Sequence, residues 1–280
     1  MKKNKPSHSV KVGPYIINNE KPFILIAGPD SLESLNKALF FASEIKKITQ
    51  KVGVGFIFKA SYDKANRTSF GTFRGLGLEK GLEILSQVRE KIQIPVTTDI
   101  HSVDEAKIVG RVVDLVQVPA LLSRQTDIII NASRYAKAIN IKKGQFMSPY
   151  DIGGVLSKIK SVGQKNVLLT ERGYVFGYQN LVADMRSIEI MKKTGHPVIF
   201  DASHSVQLPS ANNSVSGGER EFIFPLARAA VAVGVAGIFL EIYDNFKKAP
   251  VDGSNALGLK DLPVILSTLK KIDTISKQNY

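Results

Sequence analysis

The sequence repeats one pattern eight times: a short apolar run is followed by a longer stretch with helical periodicity. The runs do not alternate strictly between polar and apolar residues, which is typical of parallel strands buried on both faces. We predict strands at residues 23–27, 54–60, 95–100, 115–118, 138–142, 166–170, 197–201 and 237–242. We predict helices at residues 32–51, 79–91, 103–110, 124–136, 150–160, 183–193, 219–233 and 261–275. Eight such units in 280 residues predict an α/β fold, the (β/α)8 TIM barrel.

The rest of the chain gives no sign of a second domain. Residues 9–20 predict an N-terminal β-hairpin, with a run from Val10 to Ile17 followed by a turn at Asn18-Asn19, and we expect it to cap the N-terminal end of the barrel. No linker or low-complexity segment divides residues 1–280, so we predict a single domain. An open doubly wound sheet is the main alternative fold, but no Gly-x-Gly-x-x-Gly motif follows the first strand.

Composition narrows the functional classes. The sequence contains no cysteine, which excludes disulfides and thiolate chemistry, and no run of about 18 apolar residues that could span a membrane. The basic N-terminal residues are not followed by the apolar segment of a signal peptide, so we expect a cytoplasmic protein. The net charge is +13, yet the lysines are spread over several predicted helices. An anionic small substrate explains this charge as well as nucleic acid does.

The most polar stretch of the chain follows the second predicted strand and runs from Lys59 to Ser69. It presents Lys59, Lys64 and Arg67 together with Asn66 and several hydroxyl groups. Lysines supply compact charges, and an arginine supplies a planar fork that matches phosphate oxygens. Binding residues commonly lie on loops that a rigid scaffold holds. The stretch therefore favours a phosphate-binding site over the alternative, a solvated basic turn.

The ends of the predicted strands carry further polar residues. In a (β/α)8 barrel the active site lies at the C-terminal ends of the strands. The residues at or just beyond these ends are Asp30, Lys59, Ser61, Asp99, Gln117, Lys142, Arg172, His204 and Glu241. Any one of them could belong to an ion pair in the core, but buried charges are costly unless they are paired or bind a ligand. Because so many polar and charged residues lie at the C-terminal ends of the predicted strands, we predict a functional site there.

Two subsets of these residues indicate two kinds of ligand. The first is a candidate anion clamp made of the cations Lys64, Lys142 and Arg172, supported by Lys59. The second offers imidazole and carboxylate donors for a divalent metal ion: His204, Glu241 and Asp252, with Asp30 as a further candidate. The members of the second set lie far apart in the sequence, so their spacing alone is a weak signal.

Longer motifs occur in one order along nearly the whole chain. They are Gly28-Pro29 with Leu32-Glu33-Ser34, the stretch from Phe58 to Ser69, Thr98-Asp99, Gln117-Val118-Pro119-Ala120, Arg124-Gln125-Thr126-Asp127, Asn140-Ile141-Lys142-Lys143, Glu171-Arg172-Gly173, Phe200-Asp201 with His204, Ser216-Gly217-Gly218 and Val251-Asp252-Gly253. In these motifs the chain resembles the 3-deoxy-D-manno-octulosonate 8-phosphate synthases, within the phosphoenolpyruvate-dependent aldol-type synthases. The resemblance implies a (β/α)8 barrel with an N-terminal hairpin, assembled as a homotetramer.

The resemblance also implies a reaction in lipopolysaccharide sugar assembly. Phosphoenolpyruvate, D-arabinose 5-phosphate and water would give 3-deoxy-D-manno-octulosonate 8-phosphate and phosphate. The family's pattern assigns phosphoenolpyruvate to Lys64, Lys142 and Arg172, with help from Ser61, Asp99, Gln117 and the backbone of Ala120. It assigns the pentose phosphate to Asn66, Arg67 and Thr68. The groups expected to stabilise charge, transfer protons or orient water and sugar hydroxyls are Lys64, Lys142, His204 and Asp252.

Asp30 departs from the family's pattern. Members of the family that depend on a metal have Cys at this position, and members that do not have Asn. Asp is an oxygen ligand for a divalent ion, and it is also close in shape to Asn. We favour a metal site of His204, Glu241, Asp252 and Asp30 for Mn, Fe, Zn or Co, and hydrogen bonding by Asp30 is the alternative. Tyr243 is a second departure, because many members have His there.

Three rival functions remain at this point. The first is the sister synthase that uses erythrose 4-phosphate, but its Lys-Pro-Arg-Thr motif differs from Ala65-Asn66 before Arg67. The second is a Schiff-base aldolase with Lys59 or Lys142 as the nucleophile. The third is a basic nucleic-acid binder, which leaves the polar strand ends unexplained, so we predict neither nucleic-acid nor membrane binding. Among the other histidines, we expect His8 and His196 to be solvated and His101 to support the site.

Overall fold

The computed structural model describes residues 7–66, 71, 73–212, 215–245 and 253–278. Its strands are β1 Val10–Val12, β2 Tyr15–Ile17, β3 Ile24–Gly28, β4 Gly55–Lys59, β5 Val96–Asp99, β6 Leu115–Val118, β7 Ile139–Lys142, β8 Val167–Glu171, β9 Tyr174–Val175, β10 Leu181–Val182, β11 Val198–Asp201, β12 Gln207–Asn212, β13 Val215–Gly218, β14 Gly237–Tyr243 and β15 Leu257–Gly258. Its α-helices are α1 Leu35–Val52, α2 Leu78–Ile92, α3 Val103–Val112, α4 Thr126–Tyr135, α5 Ile152–Ser161, α6 Arg186–Lys192, α7 Ile223–Val233 and α8 Leu262–Gln278. None of these helices is both long and apolar enough to cross a membrane.

Eight parallel strands close into a barrel. Their order is β3-β4-β5-β6-β7-β8-β11-β14, and β14 pairs with β3 to complete the ring. This confirms the predicted (β/α)8 barrel, and each predicted strand overlaps a barrel strand. The first helix begins at Leu35 rather than at residue 32, because the Ser34 side chain accepts a hydrogen bond from the Lys37 backbone N–H at 3.2 Å and caps the helix there.

The N-terminal hairpin is confirmed, but its reversal differs from the prediction. β1 pairs antiparallel with β2, so that Val10 lies opposite Ile17 and the chain turns between residues 12 and 15. Asn18 and Asn19 follow the second strand. There the Asn19 side chain accepts a hydrogen bond from the backbone N–H of Val198 and donates one to the carbonyl of His196, so it ties the hairpin to β11.

The barrel separates an inner core from an outer core. On β4, Ile57 belongs to the inner cluster, whereas Phe56 and Phe58 belong to the outer cluster between barrel and helices. The inner cluster also includes Val10, Val12 and Ile17, so the hairpin covers the N-terminal end of the barrel. Because side chains alternate along a strand, Lys59 is the next inward residue after Ile57. The interior therefore changes from apolar to charged toward the C-terminal ends.

Two short hairpins lengthen the loops on the C-terminal side. β9 pairs with β10 in the loop after β8, and β12 pairs with β13 in the loop after β11. The sequence predicted only loops at both places. Strands of two residues leave no detectable periodicity, and the pairing of β12 with β13 carries a register irregularity that further obscures its pattern.

Gly28 allows β3 and β4 to approach each other just below the site. A Cβ atom at residue 28 would lie 2.0 Å from the carbonyl oxygen of Lys59. We expect Gly28→Ala to lower the free energy of unfolding by about 2–3 kcal/mol, the cost of overpacking a filled core. Gly154→Ala is the matched control, because nothing lies within 4 Å of its Cβ position on helix α5. Chemical denaturation should show Gly154→Ala to be neutral or stabilised by up to about 1 kcal/mol, and equal stability of the two variants would contradict this account.

Candidate active site

A cavity of about 370 Å³ opens at the C-terminal ends of the barrel strands. This is where the sequence predicted the functional site. Nine of the predicted residues line the cavity: Lys59, Lys64, Asn66, Asp99, Gln117, Ala120, Lys142, Arg172 and His204. Of these, the side chain of Asn66 is exposed, whereas Lys59, Asp99, Gln117, Lys142 and Arg172 are buried. The fold thus brings together residues that span more than half of the chain.

Lys59, Ser61 and Asp99 form one polar cluster at the ends of β4 and β5. The Lys59 ammonium donates to the Ser61 hydroxyl at 2.8 Å and lies 3.3 Å from Asp99 Oδ2. Ser61 in turn donates to Asp99 Oδ2 at 2.5 Å. Burial alone would raise the pKa of Asp99, but the charges of Lys59, Lys64 and Lys142 hold it well below its usual range. Asp99 is therefore an anion that fixes Lys59 and Ser61.

A directional chain of hydrogen bonds crosses four strands to reach the same carboxylate. The Thr170 hydroxyl donates to Asn140 Oδ1 at 2.7 Å, and Asn140 Nδ2 donates to Gln117 Oε1 at 3.0 Å. Gln117 Nε2 then donates to Asp99 Oδ1. Sequence reasoning identified Gln117 and Asp99 but missed the contributions of Asn140 and Thr170. Their inward position on β7 and β8 is the signal that could have found them.

Lys142, Asp201 and His204 form a second cluster across β7 and β11. The Lys142 ammonium lies 2.6 Å from Asp201 Oδ2 and 4.0 Å from the centre of the Phe239 ring. His204 Nδ1 lies 2.8 Å from the same carboxylate oxygen. Burial opposes the charge on Asp201, but His204 and Lys142 lower its pKa strongly. An ionised Asp201 accepts a hydrogen bond from the Nδ1–H group of a neutral His204, which leaves Nε2 as an acceptor.

Asp201 was not predicted as a site residue. It is fully buried and holds one of the candidate anion-binding lysines. Its position could have indicated this role, because it ends β11 two residues after the inward-facing Ile199.

Arg172 directly follows β8 and lines the cavity. Its Nη2 donates to the carbonyl oxygen of His204 at 3.0 Å and to the Gln207 side chain at 2.5 Å. Behind it, Glu171 Oε1 accepts hydrogen bonds from the backbone N–H groups of Arg172 and Gly173. The fully buried Lys143 lies 3.6 Å from the same oxygen, and burial lowers the pKa of its ammonium. This outer pair fixes the backbone that presents Arg172.

Asp30, His204 and Glu241 converge on one point, with a ligand atom of each within 4.8 Å of the others. Both carboxylate oxygens of Glu241 and Oδ2 of Asp30 are buried without a hydrogen-bond partner among the described residues. Asp30 Oδ1 binds the Lys64 ammonium. Buried oxygens that lack partners, together with an imidazole nitrogen, suit a divalent cation, so the donor set fits a metal ion. Asp252, the fourth predicted ligand, lies outside the described residues, as do Arg67 and Thr68.

The remaining histidines differ in part from expectation. His8 is exposed, but His196 is half-buried instead of solvated, and burial lowers its pKa to about 4. The rings of the two residues pack edge to face with their centres 4.8 Å apart, and the Asn19 side chain donates a hydrogen bond to the His196 carbonyl oxygen. His101 lines the cavity, and its backbone N–H donates to Glu105.

Tyr243 does not line the cavity. Its ring packs against Phe41 of α1, and its hydroxyl donates to Glu33 at 2.6 Å. Tyr243, the second residue that departs from the family's pattern, therefore packs beside helix α1 and not in the cavity.

Glu241 gives the metal-free protein a distinctive pH dependence. Burial and the nearby charge of Asp30 raise its pKa from near 4.5 to about 8. Between these values the unfolded chain is ionised while the folded site keeps its proton, so stability falls as pH rises from about 4.5 to 8. In the presence of a chelator at pH 7.5, we expect Glu241→Gln to raise the free energy of unfolding by about 1–2 kcal/mol. The exposed Glu90→Gln is the control, and equal stability of the two variants would contradict the assignment.

The fold and the site together define a class of protein. It is a (β/α)8-barrel enzyme that gathers cations and paired carboxylates at the C-terminal ends of its strands, as required for small anionic substrates. The sequence model of the DAHP synthetase I family matches residues 5–278. The chain belongs to this family.

Several curated relatives cover nearly the whole chain, and they carry the name 2-dehydro-3-deoxyphosphooctonate aldolase. The relative from Bartonella quintana is 49% identical over 273 residues, which are 98% of this chain and 98% of the relative. The relative from Geotalea uraniireducens is 50% identical over 268 residues, 96% of this chain and 98% of its own. The relative from Magnetococcus marinus is 52% identical over 260 residues, 93% of this chain and 91% of its own.

Proposed function

We propose that the chain condenses phosphoenolpyruvate with D-arabinose 5-phosphate and water to form 3-deoxy-D-manno-octulosonate 8-phosphate and phosphate. The observation that carries the proposal is the convergence of four cations, Lys59, Lys64, Lys142 and Arg172, on one cavity. Both organic substrates are anionic, and such a cavity attracts and orients them. The names of the close relatives support the same product.

Phosphoenolpyruvate occupies the inner part of the cavity in this proposal. Lys64, Lys142 and Arg172 bind its carboxylate and phosphate, and Ser61, Asp99, Gln117 and the Ala120 backbone support them. During the reaction C3 attacks the aldehyde carbon, water adds to C2, and the bond between C2 and the phosphate oxygen breaks. One proton of the water goes to the aldehyde oxygen, which becomes a hydroxyl, and the other goes to the departing phosphate as C2 becomes a keto carbon. Cations already fixed by carboxylates can stabilise the changing charge on the substrates without reorganising.

The lysines carry the proton steps, and His204 has one ring nitrogen left for a single further role. With Nδ1 held by Asp201 at 2.8 Å, its Nε2 would bind the metal ion, or would orient the water in an enzyme without the ion. Lys142 and Lys64 stabilise charge and exchange protons with the substrate oxygens. Asp252 is proposed to orient the sugar hydroxyls.

We include a divalent metal ion, Mn, Fe, Zn or Co, in the proposal. His204, Glu241 and Asp30 would hold it, together with Asp252. The unpartnered buried oxygens of Glu241 support this assignment. The ion would supply a Lewis acid next to the reacting carbons.

The pentose phosphate occupies the outer part of the cavity, where Asn66 lies, and Arg67 and Thr68 are proposed to bind its phosphate. We further propose that residues 1–280 act as one domain in a cytoplasmic homotetramer. Large side chains exposed in the segments after β7 and β8, including Tyr150, Phe176 and Tyr178, support self-association.

Turnover with two aldoses tests the function. The purified enzyme is given phosphoenolpyruvate with either D-arabinose 5-phosphate or D-erythrose 4-phosphate, and phosphate release and keto-acid product are measured. We expect turnover with the pentose and little or none with the tetrose. Activity with the tetrose alone would replace the proposal with its sister synthase. Borohydride should trap no adduct, because Lys59 and Lys142 are each held in an ion pair with a buried carboxylate.

A further inference from the structure

The Asp30 carboxylate lies between two cation sites. Its Oδ1 accepts a hydrogen bond from the ammonium group of Lys64, whose side chain is only 12% exposed and lines the cavity. Its Oδ2 is buried without a hydrogen-bond partner in the described part of the chain. The same carboxylate supplies a ligand atom to the group with His204 and Glu241. The Asp30 carboxylate thus contacts the Lys64 ammonium and also belongs to a candidate binding site for a divalent cation.

The other lysines of the anion clamp have a different environment. Lys59 is paired with Asp99, and both oxygens of Asp99 accept hydrogen bonds from uncharged side chains. Lys142 is paired with Asp201, and both oxygens of Asp201 accept hydrogen bonds from His204. Neither carboxylate belongs to the metal-binding group. Among these three pairs, only that of Asp30 and Lys64 has a carboxylate with an oxygen left for a second cation.

We propose that Asp30 couples the binding of a divalent cation to the binding of phosphoenolpyruvate. A cation held by Asp30, His204 and Glu241 draws on the negative charge of the Asp30 carboxylate. That charge otherwise compensates the Lys64 ammonium alone. Lys64 then attracts the anionic substrate more strongly. This inference rests on the proposed function, which assigns the metal ion and the substrate to these two neighbouring sites.

Two physical arguments set the size and the direction of the coupling between cation binding and phosphoenolpyruvate binding. The Asp30–Lys64 pair is buried, so solvent and salt screen it weakly and a change of charge at Asp30 is felt at Lys64. Coupling between two binding sites is reciprocal, so the substrate must tighten the cation by the same factor as the cation tightens the substrate. We expect a factor of roughly ten, within the usual range for coupled sites.

The experiment measures this factor in both directions. Free Mn²⁺ is followed by electron paramagnetic resonance during titration of the metal-stripped protein, with and without phosphoenolpyruvate and without any aldose. Calorimetry measures phosphoenolpyruvate binding with and without Mn²⁺. The wild-type protein should give the same tightening, roughly tenfold, in both measurements. Asp30→Asn should bring the factor close to one. The matched control Asp99→Asn removes a carboxylate from a different lysine, and it should weaken substrate binding while leaving the factor unchanged.

A second pair of variants keeps the test decisive if Asp30→Asn binds Mn²⁺ too weakly. Without substrate, Lys64→Met should bind Mn²⁺ roughly tenfold more tightly, because the cation no longer competes with an ammonium for Asp30. Lys59→Met should change this affinity less than Lys64→Met does. The inference is overturned if the wild-type factor is one, if Asp30→Asn keeps the wild-type factor, or if Lys64→Met binds Mn²⁺ no more tightly than the wild type. Failure of the wild type to bind Mn²⁺ overturns the metal assignment as well, whereas turnover with the pentose tests the reaction separately.

Discussion

Replacing Lys142 by Met is expected to lower kcat/KM for phosphoenolpyruvate by about 10³-fold, the upper end of what one charge-stabilising donor contributes. The ammonium lies against the cavity, 2.6 Å from Asp201 and over the Phe239 ring. Met preserves much of the length of the side chain but removes the charge that faces the substrate. Steady-state kinetics should show a loss in kcat as well as in KM, because the cation acts on charge that changes during the reaction.

The control for this prediction is Lys160→Met, which removes an exposed lysine from helix α5. Its kcat/KM should stay within about twofold of the wild type, as is usual for a surface substitution. Thermal unfolding of both variants distinguishes a catalytic loss from a folding defect, since Lys142→Met also leaves Asp201 with one cationic neighbour fewer. A folded Lys142→Met enzyme that loses less than tenfold would remove Lys142 from its proposed role.

Removing divalent cations with a strong chelator is expected to lower turnover by at least about 100-fold, because a Lewis acid supplies several kcal/mol of stabilisation. Adding back Mn²⁺ should restore the activity. The reason lies in Glu241 and Asp30, whose buried oxygens lack hydrogen-bond partners among the described residues and sit near the His204 imidazole. Activity assays after dialysis, with the metal content measured in parallel, provide the check.

Mg²⁺ serves as the matched add-back, since a site that includes imidazole favours Mn, Fe, Zn or Co over Mg. Mg²⁺ should restore less activity than Mn²⁺ at the same concentration. Full activity in the metal-stripped enzyme would contradict the metal assignment. In that case Asp30 acts through its bond to Lys64, as a hydrogen-bonding side chain in place of Asn.

Much of the architecture could be predicted from the sequence, because it depends on local patterns. The apolar runs identified all eight barrel strands, and Leu115–Val118 agrees with its prediction at both ends. The rule that barrel sites lie at the C-terminal strand ends predicts that Lys59, Asp99 and Lys142 lie near one another. Period-two alternation explains why this worked, since it fixes which residues of each strand face inward.

What the sequence could not provide depends on contacts between distant residues. Asp201 was overlooked because its importance comes from Lys142, which lies on a strand 59 positions earlier in the sequence. The His196 environment depends on Asn19, which arrives from the other end of the chain. Asn140 and Thr170 look like ordinary polar strand residues until their side chains are seen to donate in one direction toward Asp99. Period-two alternation places Asp201, Asn140 and Thr170 on the inner side of the barrel, but it does not say which side chains they contact there.

The outer pair of Lys143 and Glu171 makes the two neighbouring strands unequal in their tolerance of insertions. Lys142 and Lys143 are the same residue type, so a one-residue slip of β7 would still leave a lysine on each side of the barrel wall. On β8 the same slip would exchange Arg172 for Glu171 and put a carboxylate where an anionic substrate binds. An added residue in β8 would therefore reverse the polarity of the pocket wall, whereas one in β7 would preserve it.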